Sequence, residues 1–510
     1  MARPANRQRA RHGAVFILCL GFCGCLSGPL QLAPPNQSTV KATQASAPPR
    51  WAGTGDWGDP VTQDTQTIVD SARTSPAIPQ ATPAAAGNVL PVSASTVPTD
   101  AFGEAREALA RLESYSAEEK PEPKPVFQIR GRIQAEAALV QQSARDQAIL
   151  GTIENGYGFR RARLGAQGDV GEQVHWVSEF DFAGGNINFK DVYVAVQQLP
   201  IVGAIRVGHF CEPFSLEGAT SSNVFPFVER SSADALDPSR NWGVGLFSYT
   251  ENQRLTFQAG AFRSGTASDG NDLGNGNDMA YTCRLTALLW YENSSDVYRL
   301  LHIGGAFSQQ KPPNDVVTFS QAPQSNLIDI SDDPLSPFVK NLTINATQLQ
   351  RYNVQSALVL GPLSFHAEWN AAYIEQIGGG PVFLHGGYVF ASYFLTGEHR
   401  EYVPTEGAFG TTHVRSPFLC MKGKPALRCG PGAWELVARV DYLHFASSNL
   451  PPQSNGLLQG DDVAETTLGV NWYLNDNARV MFNFVHAVPV DPNYGPSWAN
   501  AFFVETAVFW

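Results

Sequence analysis

Phe127-Gln128-Ile129-Arg130-Gly131-Arg132-Ile133-Gln134-Ala135-Glu136-Ala137-Ala138-Leu139 sets apolar residues against polar ones at every second position. A repeat of two is what an extended strand produces, because successive side chains leave on opposite faces. One face carries Phe127, Ile129, Ile133, Ala135, Ala137 and Leu139, and the other carries Gln128, Arg130, Arg132, Gln134 and Glu136. A helix would need apolar positions three and four apart, and this stretch does not have them.

The same alternation returns down the chain. Trp176, Phe180 and Phe182 oppose His175, Glu179 and Asp181, and Phe365, Ala367 and Trp369 oppose His366, Glu368 and Asn370. Trp434, Leu436, Ala438, Val440 and Tyr442 oppose Glu435, Arg439 and Asp441, and Leu468, Val470, Trp472 and Leu474 alternate with Thr467, Asn471 and Tyr473. About 16 such segments of roughly 8 to 12 residues fit between Phe127 and Trp510, the length a tilted strand needs to cross a bilayer. Short turns such as Leu474 to Asn477 and long polar loops such as Pro312 to Leu342 separate them. A soluble β-sandwich also alternates, but its polar face is the outer one. Here aromatic residues recur on the apolar faces near strand ends, as in the girdles of membrane barrels. The fold expected is therefore all-β, a transmembrane antiparallel β-barrel. The last strand, Ala499 to Trp510, closes on Phe509-Trp510 and resembles the signal read by outer-membrane assembly machinery.

Composition agrees. Charged residues make up 16% and hydrophobic residues 43%, and no apolar run outside the extreme N-terminus is long enough for a membrane helix. Residues 1–30 read as an export signal, with Arg3, Arg7, Arg9 and Arg11 before the apolar run Ala14 to Leu26. Cys25 after Gly24 is a degenerate lipoprotein site, an alternative reading of the same segment. Residues 31–100 are rich in Pro, Ala, Ser and Thr and read as a disordered linker. Residues 101–126 read as a short helix, with Ala105, Leu109 and Leu112 on one face, followed by the proline-rich step of Pro121, Pro123 and Pro125. The barrel is expected over residues 127–510. Cys420 and Cys429 flank a segment rich in Lys, Gly and Pro, which leaves two readings, a loop disulfide or two free thiols.

From Arg206 the chain resembles a known family. Arg206-Val207-Gly208-His209-Phe210 followed by Glu212-Pro213-Phe214-Ser215-Leu216-Glu217 is similar to the strand and inward-folded loop of porin O/P proteins, often called phosphate-selective porins. Thr220-Ser221-Ser222-Asn223, Glu229-Arg230, Arg240-Asn241, Phe159-Arg160-Arg161-Ala162-Arg163-Leu164-Gly165 and Ser392-Tyr393-Phe394-Leu395-Thr396-Gly397-Glu398-His399-Arg400 extend the likeness. So do Thr467 to Leu474 and Asn483 to Ala487. The resemblance implies a homotrimer of 16-stranded barrels in the bacterial outer membrane, each with a constriction loop folded into its own pore. Where several relatives would carry a basic residue after Phe210, this chain has Cys211.

Some 30 residues, 211–240, cannot all serve as a turn, so Phe214, Leu216, Phe225, Phe227 and Leu236 are expected against the inner wall. Glu229, Arg230 and Arg240 are the constriction candidates, lining the aperture or pinning the loop by ion pairs. Arg130, Arg132, Arg161, Arg163, Arg206 and Arg439 fall on polar faces and are the candidate basic lining for small anions such as phosphate. A lumen balanced by Glu136, Glu179, Asp181, Asp191, Glu435 and Asp441 is the competing picture. From Phe127 onward there are 24 Lys and Arg against 36 Asp and Glu, so a general pore for anions or small hydrophilic solutes is expected ahead of a strictly phosphate-selective one. Two other classes stay open, a structural or anchoring barrel with a plugged lumen and an outer-membrane hydrolase. Gly-x-Ser-x-Gly and His-Glu-x-x-His motifs are absent. The run Asp269 to Asp278 fails the calcium-loop pattern at Leu273 and Ala280. No cofactor, metal site or nucleic-acid patch is expected.

Overall fold

The computed structural model describes residues 126–150, 152–200, 202–264, 278–294, 297–321, 339–418, 430–445, 447–450, 462–490 and 497–510. The export signal, the linker, the short helix with its proline-rich step expected over 101–126 and the Cys420–Cys429 pair lie outside these residues, except for Val126.

Nineteen strands follow in chain order. They are β1 (Val126–Gln142), β2 (Gly156–Val170), β3 (Val174–Asp181), β4 (Asn188–Leu199), β5 (Gly203–Cys211), β6 (Arg240–Tyr249), β7 (Leu255–Arg263), β8 (Met279–Asn293), β9 (Tyr298–Gln310) and β10 (Val316–Gln321). After them come β11 (Val339–Leu360), β12 (Leu363–Gln376), β13 (Val382–Phe394), β14 (Tyr402–Val403), β15 (Ala408–Phe409), β16 (Ala433–His444), β17 (Asp462–Asn475), β18 (Ala478–Val490) and β19 (Ala499–Phe509). All except β10, β14 and β15 pair antiparallel with their neighbours in one continuous sheet. Pairing of β1 with β19, from Arg132 opposite Phe509 to Gln142 opposite Ala499, closes it into a barrel of sixteen strands. Closure removes the sheet edges that would leave backbone groups unpaired in lipid. Strand β10 lies outside the ring and pairs with the start of β11.

The burial pattern is inside out relative to a soluble protein. Phe127, Ile129, Val194, Val354, Val389 and Phe484 are exposed on the outer face, while Arg132, Glu179, Asn353, Glu435, Arg439 and Glu505 are buried inside. An apolar exterior has no solvent match except hydrocarbon, so the ring is a transmembrane barrel. No helix among the described residues is long and apolar enough to cross a membrane.

Tight connections such as 171–173, 200–202, 361–362 and 476–477 gather at one end of the barrel. The other end carries most of the long ones, including 143–155 with helix α1 (Ala144–Leu150), 212–239 and 311–338. One long connection breaks the rule. The chain from 395 to 432, between β13 and β16, leaves from the short-turn end.

Candidate functional site

Charge is distributed unevenly around the wall. Strands β1 to β6 hold eight basic residues (Arg130, Arg132, Arg160, Arg161, Arg163, Lys190, Arg206 and Arg240) against five acidic ones (Glu136, Asp169, Glu179, Asp181 and Asp191). The remaining barrel strands hold seven basic against eight acidic. The acidity of residues 127–510 therefore lies in the connections, which carry nine basic against 23 acidic residues, while the wall is slightly positive.

Two irregularities in strand pairing concentrate the basic residues. The β1–β2 register shifts between Gln134 and Ala135, which leaves Arg160 as an extra residue between Phe159 and Arg161. Such a bulge re-aims a side chain that strict alternation would send outward. The second shift, between Ser178 and Phe180, sets Lys190 and Asp191 together opposite Glu179.

The carboxylates among these bases are shared. Glu179 pairs with Arg130 at 3.0 Å, Arg132 at 3.3 Å and Arg163 at 3.0 Å. Arg163 also pairs with Asp181 at 2.8 Å, and the Lys190 ammonium stands 4.0 Å from the same carboxylate. Arg240 donates to Asp191 through Nε at 3.2 Å and Nη2 at 3.0 Å. Arg161 donates to Gln134 at 2.9 Å. The guanidinium of Arg206 stands apart, 4.2 Å from the ring centres of both Tyr193 and Phe247.

The connection 212–239 folds into the lumen, and its apolar residues hold it to the wall. Phe214, Leu216, Phe225, Phe227 and Leu236 are all buried. Phe227 packs edge-on against Phe390 at 5.4 Å, and Leu236 joins the cluster of Ile344, Ile374 and Leu443. Burying a Leu or Phe side chain is worth about 1.5–3 kcal/mol, so these residues favour the inward position over an extended one.

Polar anchors fix where the loop sits. Helix α2 (Leu216–Ala219) begins at Ser215, whose Oγ accepts from Gly218 N at 2.8 Å. Glu368 of β12 reaches the same helix start and accepts from Leu216 N at 2.8 Å and Glu217 N at 2.6 Å. Asn353 and Tyr388 donate to the same carboxylate, at 3.0 and 2.5 Å. Asp441 accepts from Ser232 N and Oγ, and Asn483 accepts from Val228 N. Arg479 donates to the carbonyls of Phe225 and Ser222, both at 2.9 Å.

These contacts give the expected constriction residues specific surroundings. Glu229 is gripped by the bulge residue Arg160, whose Nη2 donates at 2.7 Å while Nε also contacts the carboxylate; Arg161 is 4.0 Å away. Arg230 pairs with Asp234 at 3.2 Å within the loop. Arg439 donates to the carbonyl of Glu229 at 3.0 Å and to Asp441 at 2.8 Å, and its guanidinium covers the Phe227 ring at 4.6 Å. Among the acids expected to balance the lumen, Glu179, Asp181, Asp191, Glu435 and Asp441 all have arginine partners. Within the loop, burial together with the nearby Asp234 carboxylate pushes Glu217 up to about 8 against the pull of Arg439. Burial and the Asp234 and Glu368 carboxylates likewise raise Asp237 well above the usual carboxylate range.

A second inward segment comes from the short-turn end. Arg400 pairs with Glu435 and donates to the carbonyl of Val224, tying this segment to the loop 212–239. Tyr402 contacts His302 Nδ1 at 2.6 Å, and its backbone N donates to Tyr298 at 2.9 Å. The β14–β15 turn uses Gly407 at φ +66°, and Arg284 of β8 donates to the Gly407 carbonyl at 2.7 Å. Tyr402 and Phe409 of this segment share one buried cluster with Leu216 and Val224 of the loop. Alternation alone did not disclose this segment. The adjacent Glu398, His399, Arg400 and Glu401 after an aromatic strand were its only trace.

Comparison with known proteins places these features. A family profile described as phosphate-selective porin O and P matches residues 127–489. An uncharacterised protein of Caulobacter vibrioides is 28% identical over 340 residues, covering 62% of this chain and 61% of that protein. Porin O of Pseudomonas aeruginosa is 22% identical over 380 residues, covering 71% of this chain and 82% of that protein. Among solved structures, an anion-selective porin from Comamonas acidovorans aligns with a TM-score of 0.45 at 12% identity, over 76% of this chain and 100% of that one. The loop-deleted OmpT of Vibrio cholerae aligns with a TM-score of 0.44 at 11% identity, over 76% of this chain and 99% of that one.

Proposed function

The chain belongs to the phosphate-selective porin O and P family, and on that premise we propose that it is an outer-membrane porin through which small anions and hydrophilic solutes diffuse passively. Its place is the bacterial outer membrane. Permeation needs no covalent chemistry, only a watery path whose wall compensates part of the ion's lost hydration. The observation that carries the anion reading is the grouping of Arg130, Arg132 and Arg163 around the single carboxylate of Glu179. With Asp181 shared by Arg163 and Lys190, four basic groups stand on two carboxylates, which leaves a local positive excess in a lumen where low-dielectric walls focus the field. An acidic chain overall does not cancel this, because its excess acid lies in the connections.

Within this reading, Glu229, Arg230 and Arg240 shape the aperture by fixing the loop. Arg130, Arg132, Arg161, Arg163 and Arg206 form the basic side of the path, and Arg439 holds the loop's backbone. Phosphate is one permeant anion among several, and the assembled form is a homotrimer with one path per barrel.

One observation favours a different reading. Two inward segments meet at Arg400 and the Val224 carbonyl, as they would in an occluded barrel serving a structural role. Single-channel recording of the purified, folded protein in a planar bilayer separates the two. The porin reading expects stepwise openings, grouped in threes for a trimer. A folded barrel that never conducts would establish the occluded form instead.

A further inference from the structure

Arg206 differs from every other arginine on the lumenal face of a strand. Among the described residues it makes neither an ion pair nor a hydrogen bond through its guanidinium, and its Nε is buried without a partner. The nearby Asp191 is taken by Arg240 through two hydrogen bonds. Aromatic residues surround Arg206 in place of acids. Tyr193 on β4 and Phe247 on β6 flank it from the two neighbouring strands, each 4.2 Å from Cζ to ring centre, and Phe210 lies at 5.2 Å.

The backbone makes room for this arrangement. Arg206 sits opposite Ala195 on one side and Gly245 on the other. A Cβ at Gly245 would lie 2.9 Å from the Phe247 ring and 3.1 Å from the Phe210 ring, so only glycine lets both rings close around the guanidinium. Arg206 is the fourth residue of β5, which starts from the short turn at 200–202, so the slot faces the short-turn half of the lumen.

Resting on the porin reading above, we propose that Arg206, Tyr193, Phe247 and Phe210 form a binding slot selective for planar organic carboxylates, above all those with a flat apolar body. Rings that cover the faces of a guanidinium leave its edge as the approach, and that edge is a fork matching the two oxygens of a carboxylate. The covered faces also reduce competing hydration, and ring-to-cation attraction holds the fork in place. An aromatic carboxylate would seat its oxygens on the fork and its body against the surrounding rings. A tetrahedral phosphate would press at least two charged oxygens against apolar carbon, where they lose water and gain no donor. The slot therefore sorts anions by shape after the basic wall has attracted them by charge.

The test uses the full-length protein folded in detergent, with barrel formation checked by heat-modifiable electrophoretic mobility. Benzoate and inorganic phosphate are titrated calorimetrically, and both are then tested for block of single-channel current in KCl. Benzoate should bind with saturation and more tightly than phosphate. Arg206→Gln should weaken benzoate about tenfold or more, while Arg206→Lys, which keeps the charge without the fork, should recover only part of it. Phe247→Leu should weaken benzoate and leave phosphate little changed. Equal or tighter phosphate binding, or benzoate binding indifferent to Arg206→Gln, would overturn the slot even if the channel conducts. Arg206-dependent benzoate binding to a protein that does not conduct would keep the slot and reject the porin reading.

Discussion

Replacing Glu368 by Ala should release the inward loop without unfolding the barrel. The Glu368 carboxylate accepts from Leu216 N, Glu217 N, Asn353 Nδ2 and Tyr388 OH. Two of these donors are backbone groups of the loop and have no wall partner once the carboxylate is gone. Each buried donor left unsatisfied costs about 1–3 kcal/mol, so loop docking should weaken by about 2–6 kcal/mol. Water entering the vacated space recovers part of this, which places the effect near the lower end, about 2–3 kcal/mol. That is roughly a thirty- to 150-fold shift in the balance between docked and undocked loop. The barrel's own ladder is untouched, because β12 keeps its pairing with β11 and β13. Single-channel recording should then show larger conductance and frequent flicker in Glu368→Ala, with Glu368→Gln between it and the wild type. A folded Glu368→Ala protein with the quiet, unaltered conductance of the wild type would refute the claim that this carboxylate holds the loop.

Other consequences follow from the same geometry. Glu179→Gln would take the carboxylate from Arg130 and Arg132, while Arg163 keeps Asp181. At roughly 8 Å in a watery lumen, one charge is worth about 0.5 kcal/mol, so anion preference should rise about twofold in bi-ionic potentials. Arg160→Ala strips a buried carboxylate of its closest partner and should cost about 3–5 kcal/mol of loop or barrel stability. By contrast, Arg161→Ala loses mainly a hydrogen bond to Gln134 and should cost about 1 kcal/mol in the same thermal or denaturant unfolding assay. Equal losses would contradict the assignment of Arg160 as the anchor. The Glu217 carboxyl, pushed up to about 8 from its ordinary 4.5, binds its proton more tightly in the docked loop than in a free one. Docking should therefore strengthen as pH falls from about 8 toward 4.5 and weaken as pH rises through that window. Open-channel noise should be greater at the alkaline end, and Glu217→Gln should reduce the pH dependence, leaving the part that the raised Asp237 carboxyl supplies.

The barrel was legible because its cause is local. Alternation such as Phe127 to Leu139 states which residues face lipid, and that rule alone places Arg132, Glu179, Asn353 and Arg439 on the inner face where they are buried. Strand number followed from the segment count and from what the family resemblance implies. What alternation could not disclose is where it breaks. Arg160 has the parity of an outward residue, and only the bulge opposite Gln134 and Ala135 turns it toward Glu229. The side-by-side pair Arg160-Arg161 was the available sign, since two adjacent charges cannot both suit a regular strand facing lipid. Partnership was equally hidden. Arg439 reads only as an inward basic residue in the sequence and Arg479 is not singled out there, yet both donate to carbonyls of a loop more than 200 residues earlier. Long-range pairings of that kind depend on closure of the ring, and no local pattern encodes them.

The most direct test of the central claim is the zero-current potential of the reconstituted wild-type protein across a KCl gradient. The basic wall of β1 to β6, focused by the lumen, predicts a potential of the sign given by chloride passing faster than potassium. It also predicts a smaller value for the double variant Arg130→Gln with Arg163→Gln. A potential of the opposite sign, unmoved by those substitutions, would show that the acidic connections govern selectivity and would contradict the account.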